Sequence, residues 1–269
     1  MKTLLLNNTS DYHNGCKKVI EAIDHIYGFD DSIKTFDKAN LDELDYSKYD
    51  RVILNGEGTM HHNSVRAQQY LSALFFAQRA GCETFIINTV WQRMKNDYDH
   101  VLKNCSLIAV REEYSQTELK EKHGIDSIVY PDLSYIVDVP LEEYEYEEIY
   151  EGQYINLTQD KVIGNYPRID IFKQEWNEVV NRLRNADLLI TGRHHEMYAA
   201  CKAKCPFLVH EGNTWKNSGL LASAGVQIPF DIEGVLIGKY DEQYEKLWAY
   251  LEESTHSRQR SFMEKVLKN

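Results

Sequence analysis

"RVILNGEGTMHHNSVRAQQYLSALFFAQRAGCETFIINTV" (residues 51–90) holds the pattern from which the fold is read. Val52-Ile53-Leu54 and Phe85-Ile86-Ile87 are apolar runs without polar alternation, and residues 64–80 between them place apolar side chains at helical spacing. A strand that shows no alternation is buried on both faces, so two such runs joined by a helix predict parallel neighbours in a sheet covered on both sides. The rhythm extends outward. Strands are predicted at 2–7, 106–111 and 127–132, and helices at 16–27, 91–104 and 112–124. This alternation specifies a doubly wound α/β domain.

Near residue 138 the texture changes. "DVPLEEYEYEEIYEGQ" (138–153) is crowded with acidic and tyrosine residues and reads as a connection between domains. A second series of strands is predicted at 154–159, 188–193, 206–212 and 226–230. Helices are predicted at 169–185, from His194, from about Trp215, and at 241–254. Two domains are expected, 1–140 and 141–269, with the last helix a candidate to pack back on the first.

The chain has 269 residues and 43% hydrophobic content, ample for two cores. No apolar run approaches the ~20 residues of a membrane span, and "MKTLLLNN" reads as a buried strand rather than a signal peptide. A cytoplasmic location is expected. Five cysteines, at 16, 82, 105, 201 and 205, lack CxxC spacing and read as reduced thiols. The formal charge of −12 argues against a broad, nonspecific grip on phosphate backbones, which needs clustered cations. Residues 255–269 are locally cationic and read as a solvated amphipathic helix.

In a parallel sheet, ligands bind beyond the carboxyl ends of the strands, where loops enter helix N-termini. "LLITGRHHE" (188–196) puts Arg193, His194 and His195 at such a point. A helix start already favours an anion, so a guanidinium placed there needs something negative beside it, which Arg holds by paired hydrogen bonds. "HEGNTWKNSG" (210–219) repeats the arrangement with Asn213, Thr214 and Lys216. These residues are the donor-binding candidates. On the first domain, Glu57 lies between Gly56 and Gly58 just past a strand, followed by His61 and His62, while Asp11 and His13 follow the first strand. Each can accept a proton from an attacking hydroxyl, and the five are the catalytic candidates. Phosphate-loop, GxGxxG, GxSxG and HExxH motifs are absent. A zinc set of His194, His195, Cys201 and Cys205 is conceivable, but cysteines on the apolar "YAACKAKC" face read as core, so no metal and no cofactor are expected.

Arg193-His194-His195 after "TG", Lys216 with Gly219, Arg111 followed by Ser115, and Pro131-Asp132 after a strand together resemble the polysaccharide pyruvyltransferase family. The resemblance implies two Rossmann-like domains facing a cleft, as in GT-B glycosyltransferases, with the acceptor side in 1–140 and the donor side in 141–269. It implies that Arg193 and His195 form an Arg-x-His donor-binding element and that Arg111 is a second anion-contacting arginine. Two features depart from the family pattern: Gly56-Glu57-Gly58 replaces a glycine run, and "NNTSDYHNG" (7–15) replaces an Asn-x-Gly-Asp loop.

The resulting expectation is a transferase. The first reading is a glycosyltransferase moving a sugar from a nucleotide sugar to a hydroxyl. The alternative is a pyruvyltransferase using phosphoenolpyruvate on a polysaccharide, and a third is a non-catalytic glycan- or nucleotide-binding module. The acceptor is left open between a glycan and a hydroxymethylated DNA base.

Overall fold

The computed structural model describes residues 1–35, 41–153 and 165–267, with the backbone alone for 256–267. The chain divides into two units, Met1–Asp11 with Ile23–Pro131 and Tyr12–Ala22 with Asp132–Asn269.

The first unit is built on strands β1 (Thr3–Asn8), β2 (Asp31–Lys34), β3 (Arg51–Glu57), β4 (Glu83–Thr89), β5 (Leu107–Val110) and β6 (Ile128–Val129). They form one parallel sheet in the order β2-β1-β3-β4-β5-β6. Leu4, Leu6, Val52, Leu54 and Ile86 share a core with Leu71 and Leu74 of helix α2 (Val65–Arg79). Leu5, Ile53, Phe85 and Ile87, which alternate with them along the strands, are buried as well, so neither face is solvated. Ser64 caps α2, its side chain accepting the Ala67 amide.

Helix α1 (Asn14–Tyr27) begins in the second unit and ends in the first. The second unit carries strands β7 (Glu147–Glu151), β8 (Ala186–Thr191) and β9 (Phe207–Val209), parallel in that order among the described residues. Around them lie α5 (Trp176–Arg184), α6 (His194–Ala203), α7 (Lys216–Ser223), α8 (Ile232–Leu236) and α9 (Asp241–Leu267). Tyr244, Leu247, Trp248 and Leu251 of α9 belong to the core of this second unit, beside Leu189, Met197 and Phe207.

Several expected elements differ. The predicted helix 91–104 is reduced to α3 (Asp99–Leu102) and a preceding single turn, because Arg93 adopts φ 53° and interrupts the chain. The predicted helix 112–124 becomes α4 (Glu113–Glu118) followed by a wider turn over Leu119–His123, closed by Gly124 at φ 66°. Residues 226–230 form no strand; Gly225, at φ 64°, ends the turn after α7 and Pro229 lacks the amide a ladder needs. The strand expected at 154–159 lies outside the described residues. Two strands were not expected: β2, whose residues are exposed or half-buried, and β7 within the acidic segment, where buried Glu151 pairs with Arg168 at 2.7 Å. No described helix is long and apolar enough to cross a membrane.

Candidate functional site

In the first unit, β1 lies between β2 and β3, so the strand order reverses beside β1 and β3. A reversal of this kind leaves a crevice at the carboxyl ends of the two strands, where ligands bind in open α/β sheets. Buried polar residues gather there. The Asn7 side-chain amide donates to the Asn55 carbonyl at 2.5 Å, and the Tyr70 hydroxyl donates to Asn7 Oδ1 at 3.0 Å. The Thr9 hydroxyl donates to Glu57 Oε1 at 2.6 Å, and Asn55 Nδ2 reaches the same oxygen at 3.4 Å. Asn88 Nδ2 donates to Asn55 Oδ1 at 3.2 Å, and Arg111 Nε donates to Asn88 Oδ1 at 3.2 Å.

The backbone at this edge is distorted in a concerted way. Asn7, Glu57 and Asn88, at or next to the ends of three adjacent strands, have φ of 61°, 40° and 52°. Asparagine enters this left-handed region at modest cost, whereas a glutamate there is strained by about 1–3 kcal/mol, and such strain concentrates at functional positions. The distortion turns Glu57 onto Thr9 and Asn55 while Gly56 meets Thr89 so closely that a Cβ would clash.

The structure thus joins Glu57 and Arg111 to one network, though Arg111 stands in the first unit and not among the other donor candidates. His61 and His62 lie on the following loop, their Nδ1 atoms 2.9 Å apart. Asp11 is exposed and paired with Lys34, whose hydrogen bond holds its carboxyl below the usual range.

His13 belongs to the second unit and caps α1. Its carbonyl accepts the Lys17 amide at 3.0 Å, and its Nδ1 accepts the Cys16 amide at 3.2 Å. Gly15 next to it faces His195, where a Cβ would lie 2.6 Å from the histidine Cβ. The absence of a side chain at 15 is what lets the start of α1 approach the start of α6. The His13 and His195 rings are 4.9 Å apart, and His13 packs edge-on to Phe172 at 5.1 Å. Arg193 lies over the Phe172 ring, its guanidinium carbon 5.0 Å from the ring centre.

Arg193 is the residue before α6, and its side chain makes no capping bond to the helix amides. The first turn therefore keeps amide donors and a partial positive charge for an anion. Asp132 supplies a buried counter-charge: Oδ1 accepts from the Ser134 amide at 2.9 Å and hydroxyl at 2.7 Å, while Oδ2 faces His194 at 3.4 Å and His195 at 3.7 Å. Arg193 makes no ion pair with a carboxylate among the described residues. Glu196, three residues on, is pushed up to about 7 by burial, against the pull of hydrogen bonds from Thr191 at 2.5 Å and the Gln153 amide at 2.9 Å.

The α7 candidates are placed less directly. Trp215, not Asn213 or Thr214, occupies the capping position, and Lys216 Nζ donates to Asn213 Oδ1 at 3.3 Å. The link from α7 to α6 runs through Asn217, whose Oδ1 is 3.3 Å from His194 Nδ1. Cys201 and Cys205 lie in the apolar core, where burial pushes both thiols up, and they do not join the histidines of α6. Among the described residues, the set with metal-ligand geometry is His13, Cys16 and His195. Cys16 and Phe172 were not foreseen from sequence, and neither was the role of the asparagines. A groove of about 580 Å³ beside Tyr46, Phe75 and Arg79 lies near the C-terminal end of α2, hence at the amino edge of the sheet, and holds none of these groups.

Comparison with known proteins is consistent with this geometry. Residues 4–210 match the family model described as polysaccharide pyruvyl transferase. A search of curated proteins finds no match. Among solved structures, UDP-GlcNAc 2-epimerase from Neisseria meningitidis bound to UDP-GlcNAc is similar with TM-score 0.58 and 13% identity, covering 100% of each chain. Another UDP-N-acetylglucosamine 2-epimerase structure reaches 0.60 at 10% identity, over 100% of this chain and 97% of that one. T4 phage BGT in complex with UDP and Mn2+ gives 0.51 at 12% identity, over 99% of each. At such identities the likeness shows the fold, a Rossmann-like α/β fold of the GT-B type.

Proposed function

We infer the reaction from one premise: the chain belongs to the polysaccharide pyruvyl transferase family and is a transferase. The donor we propose is phosphoenolpyruvate, and the acceptor a glycan bearing free hydroxyls. The observation that carries this reading is the start of α6, a helix N-terminus without a side-chain cap at which the Arg193 guanidinium stands. Phosphoenolpyruvate carries its phosphate and its carboxylate on one carbon, and a guanidinium at a helix start suits such a multiply charged anion.

In the reaction, the methylene carbon of the donor gains a proton and its central carbon is attacked by an acceptor hydroxyl. When a second hydroxyl of the same glycan displaces phosphate, a pyruvate ketal and inorganic phosphate result. Of the two hydroxyl protons released, one balances the new methyl group and the other leaves with phosphate. Arg193 and the α6 amides stabilise the phosphate as its charge grows. Glu57 is the group we assign to accept a hydroxyl proton, since it is fixed through Oε1 by Thr9 and Asn55 at a strained backbone position.

Family membership thus places phosphoenolpyruvate ahead of the nucleotide sugar that the sequence reading put first. The test is phosphate release from phosphoenolpyruvate in the presence of purified glycans, with mass spectrometry of the glycan. Release that depends on acceptor supports the reading. Turnover of a nucleotide sugar alone would transfer the assignment to glycosyl transfer, and binding of either donor without turnover would make the protein a recognition module.

A further inference from the structure

We propose that His13, Cys16 and His195 bind a divalent transition-metal ion of the zinc type, with a coordination position left open for an anionic ligand. One ligand atom from each of the three lies within 4.8 Å of the other two. Tetrahedral zinc, with bonds of about 2.0 Å to nitrogen and 2.3 Å to sulfur, spaces its ligand atoms about 3.3–3.7 Å apart. Cys16 Sγ and His13 Nε2 stand 3.4 Å apart, inside that range.

The way the three residues are brought together favours a built site over an accidental one. His13 and Cys16 are one turn apart at the start of α1 and therefore share a face. Gly15 between them is the contact through which His195 comes within reach. Cys16 and His195 are 1% and 6% exposed, while His13 is half-buried beside the exposed Phe172 ring, so the set is buried on one side and open to a ligand on the other. Binding releases the thiol proton; for His13 to ligate through Nε2 its ring proton passes to Nδ1, which then gives up the Cys16 amide.

Charge and chemistry agree with this assignment. A bare dication at two helix starts would be unfavourable, but the Cys16 thiolate and the buried Asp132 carboxylate together cancel it. Asp132 Oδ2 lies 3.7 Å from His195 Nε2, beyond hydrogen-bond distance, so what it supplies is charge. Thiolate with two imidazoles selects zinc or cobalt over magnesium and calcium, which require oxygen ligands. Three protein ligands leave a fourth position, the arrangement of ions that meet substrate rather than of closed structural sites. Arg193, its guanidinium carbon 5.0 Å from the Phe172 ring centre, belongs to the same cluster. The inference stands on ligand geometry and is independent of which donor the protein uses.

The experiment uses the full chain, stripped with a chelator and titrated with Co2+. The expected result is one ion per chain with a near-ultraviolet thiolate-to-cobalt band, displaced by Zn2+ and unaffected by excess Mg2+. Cys16→Ser should abolish the band, His195→Ala should weaken binding at least tenfold, and Cys201→Ser should change neither. Zinc X-ray absorption of the wild-type chain, which needs no variant to fold, should show one sulfur and two imidazole neighbours. Absence of saturable cobalt binding, a band that survives Cys16→Ser, or a zinc shell without sulfur would each overturn the proposal.

Discussion

The carboxyl edge of β1, β3 and β4 and the start of α6 collect polar groups by opposite means. At the first, Asn7, Asn55 and Asn88 tie neutral amides into a net, and the charge of Glu57 is aimed by a main chain bent to φ 40°. At the second, α6 begins without a side-chain cap, and the distinguishing feature is charge: Arg193, two histidines, and Asp132 buried against them. The difference teaches that a sheet edge positions a group by spending backbone strain, while a helix start positions one by offering a field. A proton acceptor benefits from the first, because its direction is fixed; an anion benefits from the second, because attraction tolerates small displacements.

Substitution can break this contrast. Glu57→Gln keeps the size and the bond from Thr9 but removes the base, and kcat should fall by about 10³-fold with donor KM unchanged. Retention of full turnover in steady-state assays would reduce the asparagine net to a structural device. Arg193→Ala should lower kcat/KM for the donor by about 10²-fold, mainly through KM, with the near-ultraviolet dichroism of the fold preserved. An unchanged donor KM would mean that the field of α6 is not used.

The contrast can also be sharpened through stability. Gly15→Ala forces a Cβ against His195 and should cost about 1–3 kcal/mol in urea unfolding, with the loss confined to the second unit. The smallest effect is expected at Lys204, the residue that ends α6 with φ 55°. Lys204→Gly should raise stability by about 0.5–1 kcal/mol, since the ion pair it loses with Glu252 is a surface one. A gain there with unchanged turnover would show that left-handed backbone is idle at 204 and employed at 57.

Much of this architecture was legible in the sequence, for identifiable reasons. β1, β3, β4 and β5 announce themselves because strands buried on both faces exclude polar residues. β2 does not, since an edge strand needs only one partner and "DSIK" carries no apolar run. β7 was hidden because its exposed residues are acidic, leaving Ile149 as its one aliphatic signal. Arg193, His194 and His195 were visible because charge directly after an apolar strand and a glycine is unusual. The asparagines were overlooked although a signal existed: Leu6-Asn7, Leu54-Asn55 and Ile87-Asn88 end three apolar runs in the same way. Cys16 and Phe172 had no such signal, because their meaning depends on His195, brought close only by tertiary packing.

The chain passes between its two units three times, after Asp11, Ala22 and Pro131. On the ribosome, Tyr12–Ala22 emerges early and must wait for Asp132 onward before the rest of its unit exists. A fragment starting at residue 132 would lack this segment altogether, and with it the Asn14 amide that closes on the Ile171 carbonyl at 3.1 Å. Cutting the gene at residue 132 therefore separates Tyr12–Ala22 from the unit it belongs to, and a swap of that unit between relatives has to carry the start of the opening helix along.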